Sequence, residues 1–150
     1  DGNFWTRDTS LGGGDIDGAT VYRRASWQDP SHGGLTAMQV EYTKRGLPWS
    51  LFAGYISPTS QLRDFTQHTR LAVWVYGEAE LLVKLRDRTF REAEIGRGQA
   101  TNPAGWTKLI FDYTGVEGIN LTDVDNILFF AAPGDPWSSG TLYLDDILLE

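Results

Sequence analysis

The sequence contains no cysteine, which excludes disulfide frameworks, thiolate zinc sites, iron–sulfur clusters and cysteine nucleophiles together. It also lacks any apolar run of the roughly 18 to 20 residues that a membrane-spanning helix needs. Basic residues are few, with 13 Lys and Arg against 20 Asp and Glu, and the formal net charge is −7. A chain that wraps nucleic acid needs a basic surface. We therefore expect a soluble protein whose partner is neither a membrane nor a nucleic acid.

Catalytic motifs are missing as well. The two histidines, His32 and His68, lie in polar loop contexts without a nucleophile motif, and neither G-x-S-x-G, H-E-x-x-H nor a P-loop occurs. A glycosidase needs two carboxyl groups about 5 to 9.5 Å apart across a cleft. No such pair stands out among the twenty acids. We therefore predict a protein that is not an enzyme, and a small lyase or hydrolase is the least favoured alternative.

What is abundant is β-forming sequence. The 150 residues fit a single domain, 1–150, with 19 aromatic residues and 17 glycines. Apolar residues recur at period two in short runs bounded by Gly, Pro, Asp, Asn and Ser, which is typical of an all-β domain. The runs predict strands at 19–25, 35–43, 49–56, 69–76, 81–88, 106–113, 126–132 and 141–149, with 90–95 as a shorter candidate. This spacing predicts a β-sandwich jelly roll of two antiparallel sheets with eight to ten strands.

Two of these strands, 69–76 and 81–88, are predicted to form a hairpin through a three-residue loop at 78–80. Side chains alternate along a strand, so the aliphatic parity of the first strand faces the core while Trp74 and Tyr76 point outward. The hairpin register then places Trp74 opposite Lys84. The predicted outer face carries Trp74, Tyr76, Leu82, Lys84 and Arg86.

Such a face has the chemistry of a sugar-binding surface. A pyranose ring offers an apolar C–H face that stacks on an indole or phenol ring, and its hydroxyl groups bond to guanidinium and ammonium groups. Two alternatives stay open. Strand aromatics more often pack than bind ligands, and a one-residue slip in pairing moves the whole set to the other face. The basic residues Lys84, Arg86 and Arg88 taken alone are typical of a solvated face.

The remaining aromatic candidates divide by context. Trp106 opens a strand after the turn at 102–105, and we expect it to cap one end of the core. Trp49 and Tyr55 share one parity of the strand 49–56, which is ambiguous between the two faces, so both are candidate ligand contacts. Trp137 lies in a loop bounded by Gly and Pro, where an exposed tryptophan favours binding.

The last strand, 141–149, breaks its own alternation. Its apolar residues follow one parity before the adjacent acids Asp145 and Asp146 and the other parity after them, so a β-bulge is predicted there. Two carboxylates in an apolar strand are costly unless they are paired or bound to a cation such as calcium. Asp1 and the loop that begins at Asp29 offer further oxygen ligands. The alternative is that the two acids blunt an edge strand or pair with an arginine.

Several of these stretches resemble a known family. The segment 121–150, with its ending G-T-L-Y-L-D-D-I, is the most specific of them. Together with the runs 37–42, 71–77, 81–87 and 106–111, it resembles carbohydrate-binding modules of the β-jelly-roll, galactose-binding-like kind. The likeness is in particular to the family 11 type attached to bacterial glycoside hydrolases, and it covers the chain from about residue 33 onward.

The resemblance implies two packed sheets, one of them concave and able to take a glycan chain. It also implies a structural calcium between the amino-terminal segment and the last strand, with Asp145 as a ligand. Asp1 and Asp29, the further oxygen ligands that the sequence itself offers, are the other candidates. We therefore expect a secreted, extracellular, monomeric module that binds a polysaccharide, above all a β-glucan, and keeps a covalently linked enzyme near it. An anionic polymer remains an alternative ligand, and a protein-interaction or cell-surface structural sandwich remains an alternative function.

Overall fold

The computed structural model describes residues 4–6, 20–26, 32, 36–43, 46, 50–56, 63–131 and 139–150. Over these ranges the chain is all-β, as the sequence predicts, with a single 3-10 turn at Phe65–Gln67. The strands, numbered in chain order, are β1 (Phe4–Thr6), β2 (Thr20–Ser26), β3 (Thr36–Thr43), β4 (Ser50–Ile56), β5 (Arg70–Asp87), β6 (Glu92–Asp112), β7 (Val124–Ala131) and β8 (Ser139–Leu149). Within the same ranges no helix is long and apolar enough to cross a membrane.

The strands join into one antiparallel hydrogen-bonded network in the order β1-β4-β7-β5-β8-β3-β2, with β6 paired to β5. The long strand β5 organises this network. Its first part, from Leu71 to Tyr76, pairs with β8, and its second part, from Leu81 to Asp87, pairs with β7. Strand β6 follows β5 along both parts. The network therefore has two halves that share β5 and β6.

The predicted hairpin loop at 78–80 is wrong. Glu78, Ala79 and Glu80 each have a ladder partner on β6, at Thr101, Ala100 and Gln99, so β5 runs straight through them. A shift of register follows Tyr76, where Gly77 takes a φ of +97° and residues 103–105 loop out of β6. The turn predicted at 102–105 is thus a bulge inside one long strand that contains both predicted runs, 90–95 and 106–113.

One hydrophobic core is built from both halves of the network. Alternate positions in each of the two parts of β5 are fully buried, and burying each such aliphatic side chain stabilises the fold by about 1.5–3 kcal/mol. These residues, together with side chains of β3, β7 and β8, form a single cluster. The aliphatic positions of β5 that belong to this cluster are Leu71, Val73, Val75, Leu81, Val83 and Leu85.

The predicted β-bulge at the two acids of β8 is confirmed. Ala72 lies opposite Leu148 and Trp74 lies opposite Asp145, so two residues of β8 face the single residue Val73 of β5. Asp146 takes a φ of +42° at this point. The bulge changes which alternate residues of the strand face the core. Leu142 and Leu144 contact the core before the bulge, and Ile147 and Leu149 contact it after the bulge.

Candidate functional site

An aromatic row crosses the first half of the network, on the side of the sheet away from the core. Tyr76 of β5 lies directly opposite Tyr143 of β8 and Trp106 of β6. The ring centroids of Tyr76 and Trp106 are 5.5 Å apart, those of Tyr76 and Tyr143 are 6.2 Å apart, and both pairs meet edge to face. All three side chains are half-buried. Tyr76 and Tyr143 reach this side because Val75 and Leu144 beside them enter the core, and Trp106 lies on it as the ladder partner of Tyr76.

The next position along the strands holds Trp74, between Asp145 of β8 and Lys108 of β6. The imidazole ring of His32 stacks on Trp74 with a centroid distance of 3.6 Å and an interplanar angle of 27°. It also lies 5.8 Å from the ring of Trp106. We call the four strand residues Trp74, Tyr76, Trp106 and Tyr143 the aromatic face; His32 covers one side of its Trp74.

Charged and polar groups border the aromatic face. Asp146 Oδ2 lies 2.8 Å from His32 Nδ1, and Lys108 Nζ lies 2.5 Å from Glu150 Oε1. The backbone N–H of Asp146 donates to Asp145 Oδ1 at 2.8 Å. Burial raises the pKa of Asp145, and the neighbouring carboxylate of Asp146 adds to this rise. The border thus offers donors and acceptors suited to sugar hydroxyl groups beside flat rings.

Beyond Trp74 the same side of the sheet continues as an apolar strip. Ala72 of β5 lies between Leu148 of β8 and Ile110 of β6. Leu148 is 43% exposed and Ile110 is 50% exposed, although both are large aliphatic residues. On the side of the sheet that carries the aromatic face, β5 therefore presents three apolar or aromatic residues at alternate positions, Ala72, Trp74 and Tyr76.

The alternation of side chains along the strands predicts only part of the aromatic face. Trp74 and Tyr76 lie where alternation predicts them, on the side away from the core. Trp106 was predicted to cap the core, and that is wrong: it is half-buried, and its ring meets the edge of Tyr76. Tyr143 was not predicted, although it lies between the buried residues Leu142 and Leu144, an alternation that marks it as outward-facing.

The single outer face predicted for the hairpin is also wrong. Lys84 lies opposite Glu94 and Leu128, not opposite Trp74, because β5 is continuous. Ten residues of one strand separate the two, which corresponds to about 33 Å of chain. The outward residues of β5 are thus divided between the two halves of the network.

In their half, Lys84 and Arg86 lie beside carboxylates. Lys84 Nζ is 3.6 Å from Glu92 Oε2, and Arg86 Nε is 3.3 Å from Asp125 Oδ1. The ammonium group of Lys84 also lies 5.2 Å from the ring centroid of Phe130. Their part in ligand binding stays a prediction.

Several predicted site residues cannot be placed on this face. Trp49, Trp137, Asp1 and Asp29 lie outside the described residues. Tyr55 belongs to β4, where its backbone is opposite Asn126 of β7 and Trp5 of β1.

The calcium site stays a prediction. Among the residues that the structure describes, no group of three or more His, Asp or Glu side chains is placed to hold a metal ion. Asp145 accepts the N–H of Asp146, and Asp146 pairs with His32. The alternative that these acids blunt an edge stays a prediction, because the ladder between β8 and β3 ends at Leu144, one residue before Asp145.

Comparison with known proteins gives no relative by sequence: no family model matches the chain, and no curated protein matches it. Solved structures do resemble its fold. A family 11 carbohydrate-binding module from Clostridium thermocellum, in complex with a β-1,3-1,4-mixed-linked tetrasaccharide, is 13% identical with a TM-score of 0.57, covering 98% of this chain and 88% of that one. A family 28 module specific for non-crystalline cellulose is 10% identical with a TM-score of 0.60, covering 99% and 88%.

An exo-β-agarase also contains this fold, at 9% identity and a TM-score of 0.57, and the match covers all of this chain but 24% of the agarase. At such low identities these likenesses concern the fold. They confirm the resemblance that the sequence motifs indicate: the chain has the fold of the β-sandwich carbohydrate-binding modules, similar to that of family 11.

Proposed function

We propose that this chain is a non-catalytic carbohydrate-binding module that binds a polysaccharide on its aromatic face. The observation that carries the proposal is the row of Tyr143, Tyr76 and Trp106 across three adjacent strands, with centroids 6.2 and 5.5 Å apart. Half-buried rings side by side on a rigid sheet suit the C–H faces of consecutive sugar residues. The carboxylates and the ammonium group at the border suit their hydroxyl groups.

The ligand that we favour is a neutral β-glucan. Lys108 at the border of the aromatic face pairs with Glu150, and Asp145 and Asp146 add carboxylates to the same border. The described border thus has no excess of positive charge that would attract an anionic polymer. The family 11 neighbour holds a mixed-linked tetrasaccharide, and the family 28 neighbour is specific for non-crystalline cellulose. Both neighbours are carbohydrate-binding modules, which supports polysaccharide binding by the same fold.

The proposal extends to the setting of the module. We infer that the two halves of the network are the two sheets of a sandwich, because alternate residues of both halves enter one core. We further propose a secreted, monomeric domain that is covalently linked to a polysaccharide-degrading enzyme and holds a structural calcium. The agarase, of which a quarter has this fold, supports the link to an enzyme.

Affinity electrophoresis tests the binding. Gels that contain mixed-linkage β-glucan or hydroxyethylcellulose should retard the protein, and the retardation should be nearly equal at about 0.05 and 0.5 M salt. Tyr76→Ala and Trp106→Ala should weaken binding about tenfold, since each loses about 1.5 kcal/mol of ring contact. Tyr76→Phe, which keeps the ring, is the matched control and should retain most of the affinity.

The outcomes separate the proposals. No retardation by any glucan, mannan or xylan, with the fold intact by circular dichroism, would contradict polysaccharide binding. Release of reducing ends from the same polymers should stay at background, and a rate that grows with protein concentration would instead indicate a lyase or hydrolase.

A second candidate function is a protein-interaction or structural sandwich without a glycan ligand. The stacking of His32 on Trp74 favours it, because a residue of the chain itself already covers one side of that indole. On this alternative, tryptophan fluorescence should not change across titrations with oligosaccharides. A shift that saturates with one glucan and is absent in Trp106→Ala would rule it out.

A further inference from the structure

The turn between β5 and β6 displays the most exposed large apolar side chain of the described residues. Phe90 is 74% exposed and takes a φ of +66°, in the left-handed region that glycine normally occupies. An L residue with a bulky side chain is strained in this conformation. Exposure of the ring to water is a second cost. A glycine at this position would avoid both.

The turn that carries Phe90 is held firmly. Asp87 is 1% exposed, and its carboxylate accepts the N–H groups of Thr89 at 2.7 Å, Arg91 at 3.2 Å and Asn120 at 2.8 Å. The N–H of Phe90 itself donates to the carbonyl of Asp87 at 2.9 Å. The ring is therefore presented by a preorganised turn, an arrangement that lowers the ordering cost of a contact with a ligand.

Arginine residues flank Phe90 in this turn. Arg88 and Arg91 are exposed, and neither forms an ion pair within the part of the chain that the structure describes. The guanidinium group of Arg86 lies 5.2 Å from the centroid of the Phe90 ring and also pairs with Asp125. The tip thus combines an aromatic ring with two guanidinium groups in a chain whose net charge is −7.

The acids nearest to the tip are already bound to other donors. The carboxylate of Asp87 is buried among the N–H groups of the turn, and Glu92 pairs with Lys84 at 3.6 Å. Asp123 pairs with Arg63, its Oδ1 lying 2.8 Å from Arg63 Nε. An anion that approaches Arg88 and Arg91 therefore meets little local competition.

We propose that this tip, formed by Phe90, Arg88 and Arg91, is a second glycan site that takes a sugar carrying a negative group. The C–H face of the sugar stacks on Phe90, and its carboxylate or sulfate accepts charge-assisted hydrogen bonds from the two guanidinium groups. The site lies at the far end of β5 from Tyr76, fourteen residues along the chain. It goes beyond the proposed function, because it binds a different class of ligand with different residues.

The test uses Phe90→Gly. Glycine adopts the left-handed conformation without strain, which offsets its greater freedom in the unfolded chain, so the melting temperature should stay the same or rise. Affinity electrophoresis is run at about 0.05 M salt in gels that contain polygalacturonate and, in a separate arm, dextran sulfate. The wild-type protein should be retarded. Phe90→Gly should lose at least about tenfold in affinity. The two arms distinguish a carboxylate from a sulfate as the recognised group.

A pair of double variants controls for charge. Arg88→Gln/Arg91→Gln should lose the retardation by the acidic polymer. Arg70→Gln/Arg97→Gln removes the same charge from exposed arginines that pair with Asp112 and Glu94, and it should keep the retardation. Each variant is compared with its own mobility in a gel without polymer.

The proposal would be overturned by wild-type protein that neither acidic polymer retards, by undiminished binding in Phe90→Gly, or by equal losses in the two double variants. Binding of the neutral β-glucan should be unchanged in Phe90→Gly. The β-glucan measurement therefore distinguishes a failure of the tip site from a failure of the aromatic face, because the two sites use different residues and are tested with different polymers.

Discussion

At the scale of single residues, His32 decides how accessible the aromatic face is. Its imidazole stacks on Trp74 at 3.6 Å, and its Nδ1 lies 2.8 Å from Asp146 Oδ2. A sugar that stacks on the same side of the indole must first displace the imidazole. The displacement costs the stacking contact, about 1 kcal/mol, and the hydrogen bond.

We expect His32→Ala to bind a mixed-linked glucan tetrasaccharide about fivefold more tightly than wild type, because the covering ring and its hydrogen bond no longer have to be displaced. Isothermal titration calorimetry measures the change. His68→Ala, which alters the other, exposed histidine, is the matched control and should bind like wild type. Weaker binding by His32→Ala would mean that the imidazole is itself a contact for the ligand.

Asp87 is the residue whose charge matters most for acid stability. Burial raises the pKa of Asp87, but hydrogen bonds from Thr89, Asn120 and Arg91 outweigh it and lower the pKa to about 2 from an ordinary 3.8. Since the pKa in the folded state lies below that in the unfolded state, the carboxylate stabilises the fold fully above about pH 4 and progressively less towards pH 2.

Asp87→Asn should therefore lower the free energy of unfolding at neutral pH by about 2 kcal/mol, since charge-assisted hydrogen bonds to buried N–H groups are weakened. It should also flatten the decline in stability between pH 4 and pH 2. Urea unfolding at several pH values gives both results. Parallel stability curves for the variant and wild type would contradict this account of the carboxylate.

At the scale of elements, β5 joins the two halves through a bend at Gly77. This residue has a φ of +97°, and an added Cβ would meet no atom within 4 Å. The cost of a side chain there is thus conformational and not steric. Gly77→Ala should lower the free energy of unfolding by about 1–2 kcal/mol. In Gly98→Ala the new methyl would lie 3.1 Å from the ring of Phe111, so its cost is one of packing.

Urea unfolding of both variants separates these causes. Replacing Phe111 by Leu makes room beside Gly98 and should reduce the cost of Gly98→Ala in the double variant. The same background should leave the cost of Gly77→Ala unchanged. A wild-type stability for Gly77→Ala would show that the bend does not depend on the left-handed conformation.

The strands also show which features of the fold can be predicted from the sequence. Period-two alternation predicts β2, β3, β4 and β7 to within one or two residues, because it reflects a local rule about which side of a strand is buried. The prediction of a loop at 78–80 is wrong because those residues pair with 99–101. A pairing partner about twenty residues away leaves no pattern in the local sequence.

The candidate site, too, can be predicted only where it depends on the pattern within one strand. Alternation predicts that Trp74 and Tyr76 point outward, yet which other side chains join them depends on pairing with β6 and β8. Trp106 and Tyr143 lie thirty and sixty-seven residues beyond Tyr76, and only the register brings them together. The stacking of His32 on Trp74 follows no strand pattern at all.

At the scale of the whole molecule, charge is distributed unevenly. The chain is acidic overall, with a net charge of −7. Carboxylates border the aromatic face, where Lys108 pairs with Glu150. Arg88 and Arg91 lie at the tip between β5 and β6. An acidic protein repels an anionic polymer on average, so retention by such a polymer requires a local basic site. A fold shared with modules at 10–13% identity does not choose between these surfaces, since ligand choice depends on particular side chains.

The predicted calcium is a property of the whole chain, because its candidate ligands come from the amino-terminal segment and from β8. An ion that binds only the folded state raises stability by mass action, about 2.7 kcal/mol when its free concentration is a hundred times Kd. The melting temperature should therefore fall on addition of a chelator and recover with excess calcium. In Asp145→Asn this dependence should disappear, whereas Asp125→Asn, which alters a carboxylate paired with Arg86, should retain it. Equal melting temperatures with and without the chelator, together with no metal by elemental analysis, would mean that the bulge of β8 accommodates Asp145 and Asp146 without a cation.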